Sequence, residues 1–303
     1  MSKVKVKKKR MKQSPGNLIF DIVIYSFLIF LMIIIAYPLI YVISASFSST
    51  QAVMSGSVVL WPVEPSVFAY QVIFRNPSIG RGYWNSFIYT SIGTFITLAM
   101  TMLMAFCLSR KAFYGRNVVS FLLIFTMFFS GGLVPTYLLV RNLGMLNTVW
   151  AMVLPNAINA WFIILTRTYL TQSISEELYE AAELDGCSVF RSFTNIALPL
   201  SGPIIAVIAL FRAVEIWNGF FDAFLYLTRA HMQPLQIVLR DILLLNRMDA
   251  QMVGDVRDLA MRQGLVNLLQ YAIIVVASVP LIMLYPFVQR FFIKGIMVGS
   301  VKG

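Results

Sequence analysis

The chain has 303 residues, of which 59% are apolar and only 12% charged, and its mean hydropathy is +0.78. Soluble domains carry about 25% charged residues, so there is too little polar skin to cover a water-soluble fold, and lipid is expected to serve as part of the solvent. A formal charge of +11 would suggest nucleic acid in a soluble protein, but seven cations (Lys3, Lys5, Lys7, Lys8, Lys9, Arg10 and Lys12) sit ahead of a long apolar run; that is the pattern of a cytoplasmic anchor beside anionic lipid, with no nucleic-acid partner expected.

Residues 1–17 form this basic tail. Ile22–Phe47 then runs for 26 residues without a charge, too long for the roughly 7–15-residue apolar core of a secretory signal, and reads as a retained span. Four more charge-free runs follow: Trp84–Leu108, Val118–Val140, Leu143–Thr166 and Leu265–Gln289. A sixth apolar run, Ala197–Leu227, carries Arg212, Glu215 and Asp222. Each exceeds the roughly 20 residues that cross about 30 Å of hydrocarbon. The expectation is an all-α polytopic membrane protein with six transmembrane helices in a spanning domain, 18–303. Gly131, Gly132 and Pro135 suggest that the third span ends early in an external turn; the boundary within 140–148 stays open.

Six spans put both termini on one side. With the basic tail inside, fifteen cations fall on inner segments and eight on outer ones, and every lysine is inside. Two outer segments are long. Ser48–Tyr83 is rich in Ser, Pro and Gly, and Thr228–Gly264 mixes Arg with Asp241, Asp249, Asp255 and Asp258.

Chemistry is sparse. Cys107 and Cys187 make no disulfide framework and His231 is the one histidine, so no metal site is expected. No Gly is followed by Lys, so there is no P-loop to cradle a nucleotide. There is no His-Glu-x-x-His and no Gly-x-Ser-x-Gly, and Gly254-Asp255 has Met252 where an intramembrane aspartyl protease needs Gly. The chain is not expected to be an enzyme.

The inner segment between the fourth and fifth spans is the informative one. Ser173 with Glu176 three residues on reads as a capping box. Glu176, Glu177 and Glu180 lie early in a helix, where the dipole favours anions. Gly186 ends it with positive φ. A second short helix puts Val189, Phe193 and Ile196 on one face, and Pro199 breaks it. The alternative reading is an amphipathic interfacial hairpin that only stiffens the loop. Two features favour a docking role. Asp185 sits at a helix C-terminus, so it needs a compensating contact or caps the next helix. Ala181 and Ala182 offer a small, flat surface for close approach by another chain.

Glu180-Ala181-Ala182, Asp185-Gly186, Phe193, Ile196, Leu198-Pro199-Leu200 and Pro203 resemble the "EAA" signature of binding-protein-dependent ABC importer permeases. The spacing from Glu180 to Gly186 and from Gly186 to Ile196 is kept without a gap. The whole is similar to the sugar-importer branch, to its maltose-permease-like MalG subunits, and, through Ser130-Gly131-Gly132-Leu133-Val134-Pro135 and Trp217-Asn218-Gly219, to the LplC/YtcP group, associated with oligosaccharides. The resemblance implies a type I ABC importer permease fold in the cell membrane of a bacterium, with a conserved core from about 84 to 290 and cytoplasmic termini. It implies that the hairpin 173–198 is a cytoplasmic coupling helix, with Glu180, Ala181, Ala182, Asp185, Gly186 and Phe193 at an ATPase cleft. Its implied partners are a second permease subunit, two ATPase subunits that hold ATP and Mg, and an extracellular solute-binding protein that delivers the sugar. No cofactor is implied for this chain.

At 100° per residue, Arg212, Asn218, Asp222 and Tyr226 all lie within about 60° of Glu215, with Trp217, Phe220 and Phe224 opposite. Acid, amide, phenol and cation suit a hydroxyl-rich sugar, so these five are candidates for the translocation path. Alternatively Arg212 and Glu215, three residues apart, pair and buttress the bundle. A secondary transporter or channel would also explain a polar fifth helix, though not the EAA spacing.

Overall fold

The computed structural model describes residues 15–251 and 256–300, so the basic tail before Pro15, residues 252–255 and Lys302 lie outside the described residues. Among the described residues every regular element is helical: α1 (Pro15–Ser46), α2 (Thr50–Met54), α3 (Phe68–Arg75), α4 (Ser78–Ser109), α5 (Arg116–Phe128), α6 (Leu133–Asn142), α7 (Val149–Val153), α8 (Ala160–Ser173), α9 (Glu176–Leu184), α10 (Val189–Ser192), α11 (Leu198–Leu200), α12 (Gly202–Asn218), α13 (Phe221–Tyr226), α14 (Leu235–Gln251) and α15 (Val256–Ser300). The chain divides into two compact units, 1–70 with 255–275, and 71–254 with 276–303.

In the first unit α1 is apolar all round, and its large side chains from Ile19 to Leu39 are exposed. A helix with no polar stripe and no protein cover is built for lipid. Ser44 donates to the Leu60 carbonyl, and the Ser48 hydroxyl accepts from Val63 N–H, tying down the segment after α1. Ser49 caps α2 by accepting from Ala52 N–H at 3.1 Å. Ala45, Ala52 and Val58 form a small core with Tyr41 and Tyr271, whose rings meet edge-on at 5.6 Å. The segment expected as a Ser/Pro/Gly loop is therefore ordered and partly helical.

The second unit is organised around α4. Gly82, Ser86, Gly93, Thr97, Thr101 and Ala105 are buried along it at steps of mostly four residues. Small side chains at that period let neighbouring helices approach closely in lipid. A Cβ on Gly93 would lie 2.6 Å from Ile216 Cδ1 on α12, and one on Gly82 would lie 3.1 Å from Leu235 Cα on α14.

By length and composition, Ile19–Ser46, Ser78–Ser109 and Gln263–Pro286 can each cross a membrane, and up to five spans result if two bent pairs each count as one. Those pairs are α5 with α6, bent by 110°, and the Val189–Leu200 segment with α12, bent by 77°. The remaining run, Leu143–Thr166, is not one helix. It divides into α7 and α8 at Leu154–Asn159, where Pro155 breaks the ladder and Asn159 caps α8 by accepting from Trp161 N–H and Phe162 N–H. Hydropathy does not register such a break.

The described part of Thr228–Gly264 is largely helical as well. A 3₁₀ turn (Ala230–Met232) leads into α14, which buries Leu235, Ile237, Val238, Leu239 and Ile242. Asn85 and Tyr89 of α4 donate to the carbonyls of His231, Gln233 and Met232, and Ser86 accepts from Leu235 N–H.

Candidate functional site

The hairpin is built as two caps around one left-handed glycine. Ser173 closes α8 and Ser175 is the N-cap of α9 without a side-chain bond, so the expected capping box does not form. Glu176 faces a cation instead. At the far end Gly186 has φ +76°, Cys187 N–H donates to Ala182 O at 2.9 Å and Gly186 N–H to Glu183 O at 3.0 Å. These two bonds make a Schellman closure, which needs positive φ at its glycine. Ser188, not Asp185, caps the next helix, accepting from Arg191 N–H. Residues Phe193–Ala197 then form a π turn just before Pro199; proline has no N–H to give, and the wider turn absorbs the lost rung. Phe193 is buried, but Val189 is 64% exposed, so the expected Val189–Phe193–Ile196 face is not a single face.

One side of the hairpin is held by Arg110. This residue caps the C-terminus of α4 and is nearly buried. Its Nη2 lies 2.7 Å from Glu183 Oε1 and its Nη1 3.4 Å from Glu176 Oε1, and the guanidinium sits 4.1 Å from the centre of the Tyr179 ring. Positions 176, 179 and 183 recur on one helical face, so one cation clamps α9 along its length. Burial pushes the Tyr179 phenol up; the Arg110 charge opposes this and the Glu176 charge adds to it. Beneath, Phe106, Tyr179 and Phe193 pack ring to ring, with centroids 5.9 and 5.2 Å from Phe106. Phe193 is thus a support for the hairpin and not part of its outer face. Glu180, Ala181, Asp185 and Gly186 are exposed on that outer face, Ala182 partly so, beside Leu184 and Phe190, which are 90% and 71% exposed.

The second arrangement is a polar cavity of about 300 Å³ bordered by Asn156, Arg212, Glu215, Asn218 and Asp222. Arg212 is buried; its Nη1 pairs with Glu215 Oε2 at 2.9 Å and its Nε donates to Thr97 Oγ1 of α4 at 3.2 Å. Asn156 Nδ2 donates to Asp222 Oδ2 at 2.9 Å. The buttressing pair and the polar cavity therefore coexist. Tyr226 is not among the lining residues. It is buried with its ring nearly parallel to Tyr137, 6.3 Å away. The helix breaks at Gly219 between α12 and α13, so a constant 100° step does not carry past Asn218. For the same reason Phe220, expected opposite, lines the cavity.

Sequence reading missed Arg110, Thr97 and Asn156, each of which acts from a distant element. It also missed Asn147, at φ +57°, whose Oδ1 accepts from Thr228 N–H at 2.7 Å and Arg229 N–H at 3.1 Å. Asn-Thr after Gly144 was the available signal, because Asn tolerates left-handed backbone. Among the described residues no three His, Cys, Asp or Glu side chains gather to hold a metal.

Residues 104–298 match the family described as "Binding-protein-dependent transport system inner membrane component". The chain is 41% identical, over 95% of its length and 99% of the relative's, to the polygalacturonan/rhamnogalacturonan transport system permease protein YtcP of Bacillus subtilis (strain 168). It is 40% identical to Protein LplC of the same organism, over 97% of this chain and 98% of that one. A chain in the crystal structure of a bacterial ABC transporter involved in the import of the acidic polysaccharide alginate is 32% identical, with a TM-score of 0.78, covering 93% of this chain and 99% of that one.

Proposed function

The chain belongs to the binding-protein-dependent transport system inner membrane components, and from that premise we propose that it is the membrane permease subunit of an ATP-driven ABC importer of oligosaccharides. The observation that carries this is end-to-end similarity to YtcP, a polygalacturonan/rhamnogalacturonan permease, at 41% identity over 95% of the chain. A secondary transporter or channel would have no use for the EAA spacing.

In this reading the chain crosses the bacterial cell membrane six times with both termini in the cytoplasm, the fourth crossing being made by α7 and α8 together. The spanning domain is 18–303, its core about 84–290. The hairpin 173–198 is the coupling element. The exposed Glu180, Ala181, Ala182, Asp185 and Gly186 enter a cleft of a cytoplasmic ATPase that holds the ATP and Mg, and Phe193 braces them from below. The Arg110 clamp supports this role, since it makes any displacement of α9 a displacement of the end of α4. Arg212 then ties α4, through Thr97, to the wall of the polar cavity. Arg212, Glu215, Asn218 and Asp222 border one side of the sugar path, and Tyr226 holds the α13 end of that wall from within its core. Alternation between two arrangements of this bundle is driven by ATP binding, which must favour one of them. A second permease chain, two ATPase chains and an extracellular solute-binding protein complete the importer.

The test is purification of the chain with the proteins that copurify, reconstitution with a binding protein, and uptake of a panel of oligouronides and neutral oligosaccharides. ATP-dependent uptake of at least one is expected. Uptake that follows an ion gradient and ignores ATP would overturn the assignment.

A further inference from the structure

We infer that a basic cavity beside the hairpin, between the α4–α5 turn and α8, binds the phosphate of an anionic glycerophospholipid headgroup. The cavity holds about 350 Å³ and is bordered by Ser109, Lys111, Arg116, Arg167, Thr171 and Glu176, within the size range of about 300–1,000 Å³ typical of small-ligand sites. Three of its nine lining residues are cations. Among the described residues no carboxylate lies within ion-pair distance of Lys111, Arg116 or Arg167. The one acid, Glu176, faces Arg110 at 3.4 Å. The hydroxyls of Ser109 and Thr171 donate to carbonyls of their own helices, and Arg167 gives one N–H to Ser120 Oγ at 2.9 Å. The donors left for a ligand are these cations and the buried Tyr179 hydroxyl, which has no hydrogen-bond partner among the described residues, and a doubly or singly charged oxyanion is the chemistry that satisfies them.

The surroundings point to a lipid as the carrier of that phosphate. The turn that brings Lys111 and Arg116 to the cavity exposes Phe113 at 40% and Tyr114 fully, and aromatic side chains of this kind settle at headgroup depth. From Arg116 onward α5 exposes Val118, Phe121, Leu122 and Phe125, an apolar track for acyl chains that starts at the mouth of the cavity. A basic pocket continuous with a lipid-facing helix is the arrangement that holds anionic headgroups. Only the assignment to the inner leaflet rests on the orientation proposed above.

The experiment titrates the full-length chain, purified with the chains that copurify, in phosphatidylcholine nanodiscs or a zwitterionic detergent. The probes are phosphatidylglycerol, more phosphatidylcholine, and inorganic phosphate. Phosphatidylglycerol is expected to bind saturably, with affinity falling about fivefold for each cation removed, in Lys111→Gln/Arg116→Gln and separately in Arg167→Gln. Arg229→Gln, an exposed cation elsewhere, should bind as the parent does. Equal phosphatidylglycerol affinity in the parent and both cavity variants, with thermal unfolding unchanged, would overturn the site. Inorganic phosphate that binds as tightly as phosphatidylglycerol and displaces it would overturn the lipid and leave a soluble oxyanion. Because binding is read without transport, a failed uptake assay bears on the importer assignment alone.

Discussion

Arg110 is one side chain with three partners, and its removal separates docking from chemistry. Glu183 is half exposed and Glu176 and Tyr179 are mostly covered, so the clamp as a whole contributes on the order of 2 kcal/mol to holding α9. Arg110→Met keeps an unbranched apolar stem and loses the charge. The expected result is a chain that inserts normally, while ATP hydrolysis by the assembled complex loses its dependence on the sugar-loaded binding protein. Arg110→Lys keeps the charge without the two-pronged geometry and should fall between. Coupled hydrolysis at the parent level in Arg110→Met would show that the clamp transmits nothing.

Gly186 and Glu180 test the outer face. No atom lies within 4 Å of a Cβ built on Gly186, so its substitution is opposed by φ +76° and not by crowding. A non-glycine residue there costs roughly 1–2 kcal/mol, more if β-branched. Gly186→Val should unravel the Schellman closure and uncouple transport, whereas Gly186→Asn, which tolerates that backbone, should retain most of it. Glu180→Lys leaves the fold intact, since Glu180 is exposed, and reverses the charge offered to the ATPase; it too should uncouple. Sugar-stimulated hydrolysis at parent rates in both Gly186→Val and Glu180→Lys would sink the coupling role of the hairpin.

Among the elements, those whose cause is local were legible and those whose cause is distant were not. The long apolar helices α1 and α4 and the Gly186 turn follow from runs and residue types within a few positions, and the structure has them. The breaks in Leu143–Thr166 and at Gly219 arise from single residues inside apolar stretches, which an average over 20 residues conceals. The clamp joins positions 110 and 183, and the polar cavity joins 156 and 222; without α4 and α7 in place nothing in the local sequence ranks those partners. In α14 Leu235, Ile237, Val238, Leu239 and Ile242 are buried, whereas farther along Leu243 is half-buried and Leu244 exposed, so this stretch is a helix packed through its first half. This narrows the role of the segment beyond it. Removing residues 246–256 spares the half of α14 that packs on α4. Membrane insertion should be unchanged, while uptake and binding-protein-stimulated hydrolysis fall severalfold. Uptake at the parent rate would reduce the segment to a connector.

At the scale of the molecule the polar cavity is open at one side, since Glu215 keeps 54% of its side-chain surface exposed although its partner Arg212 is buried. On the other side of α12 a larger groove of about 770 Å³ is bordered by Trp84, Phe87, Phe95 and Trp217, the first three of them 58–71% exposed. Apolar faces of this breadth are covered in a membrane either by lipid or by another helix bundle, and lipid cannot complete a polar path. On the proposed reading of Arg212, Glu215, Asn218 and Asp222 as a sugar path, a second permease chain is expected to close it. The intact complex should contain this chain once, a different permease chain once and two ATPase chains, as read by native mass spectrometry. Vesicles holding only this chain and its ATPase should neither take up sugar nor raise hydrolysis when the loaded binding protein is added. A transport-competent assembly that lacks a second permease chain would mean that the cavity is closed from within this chain.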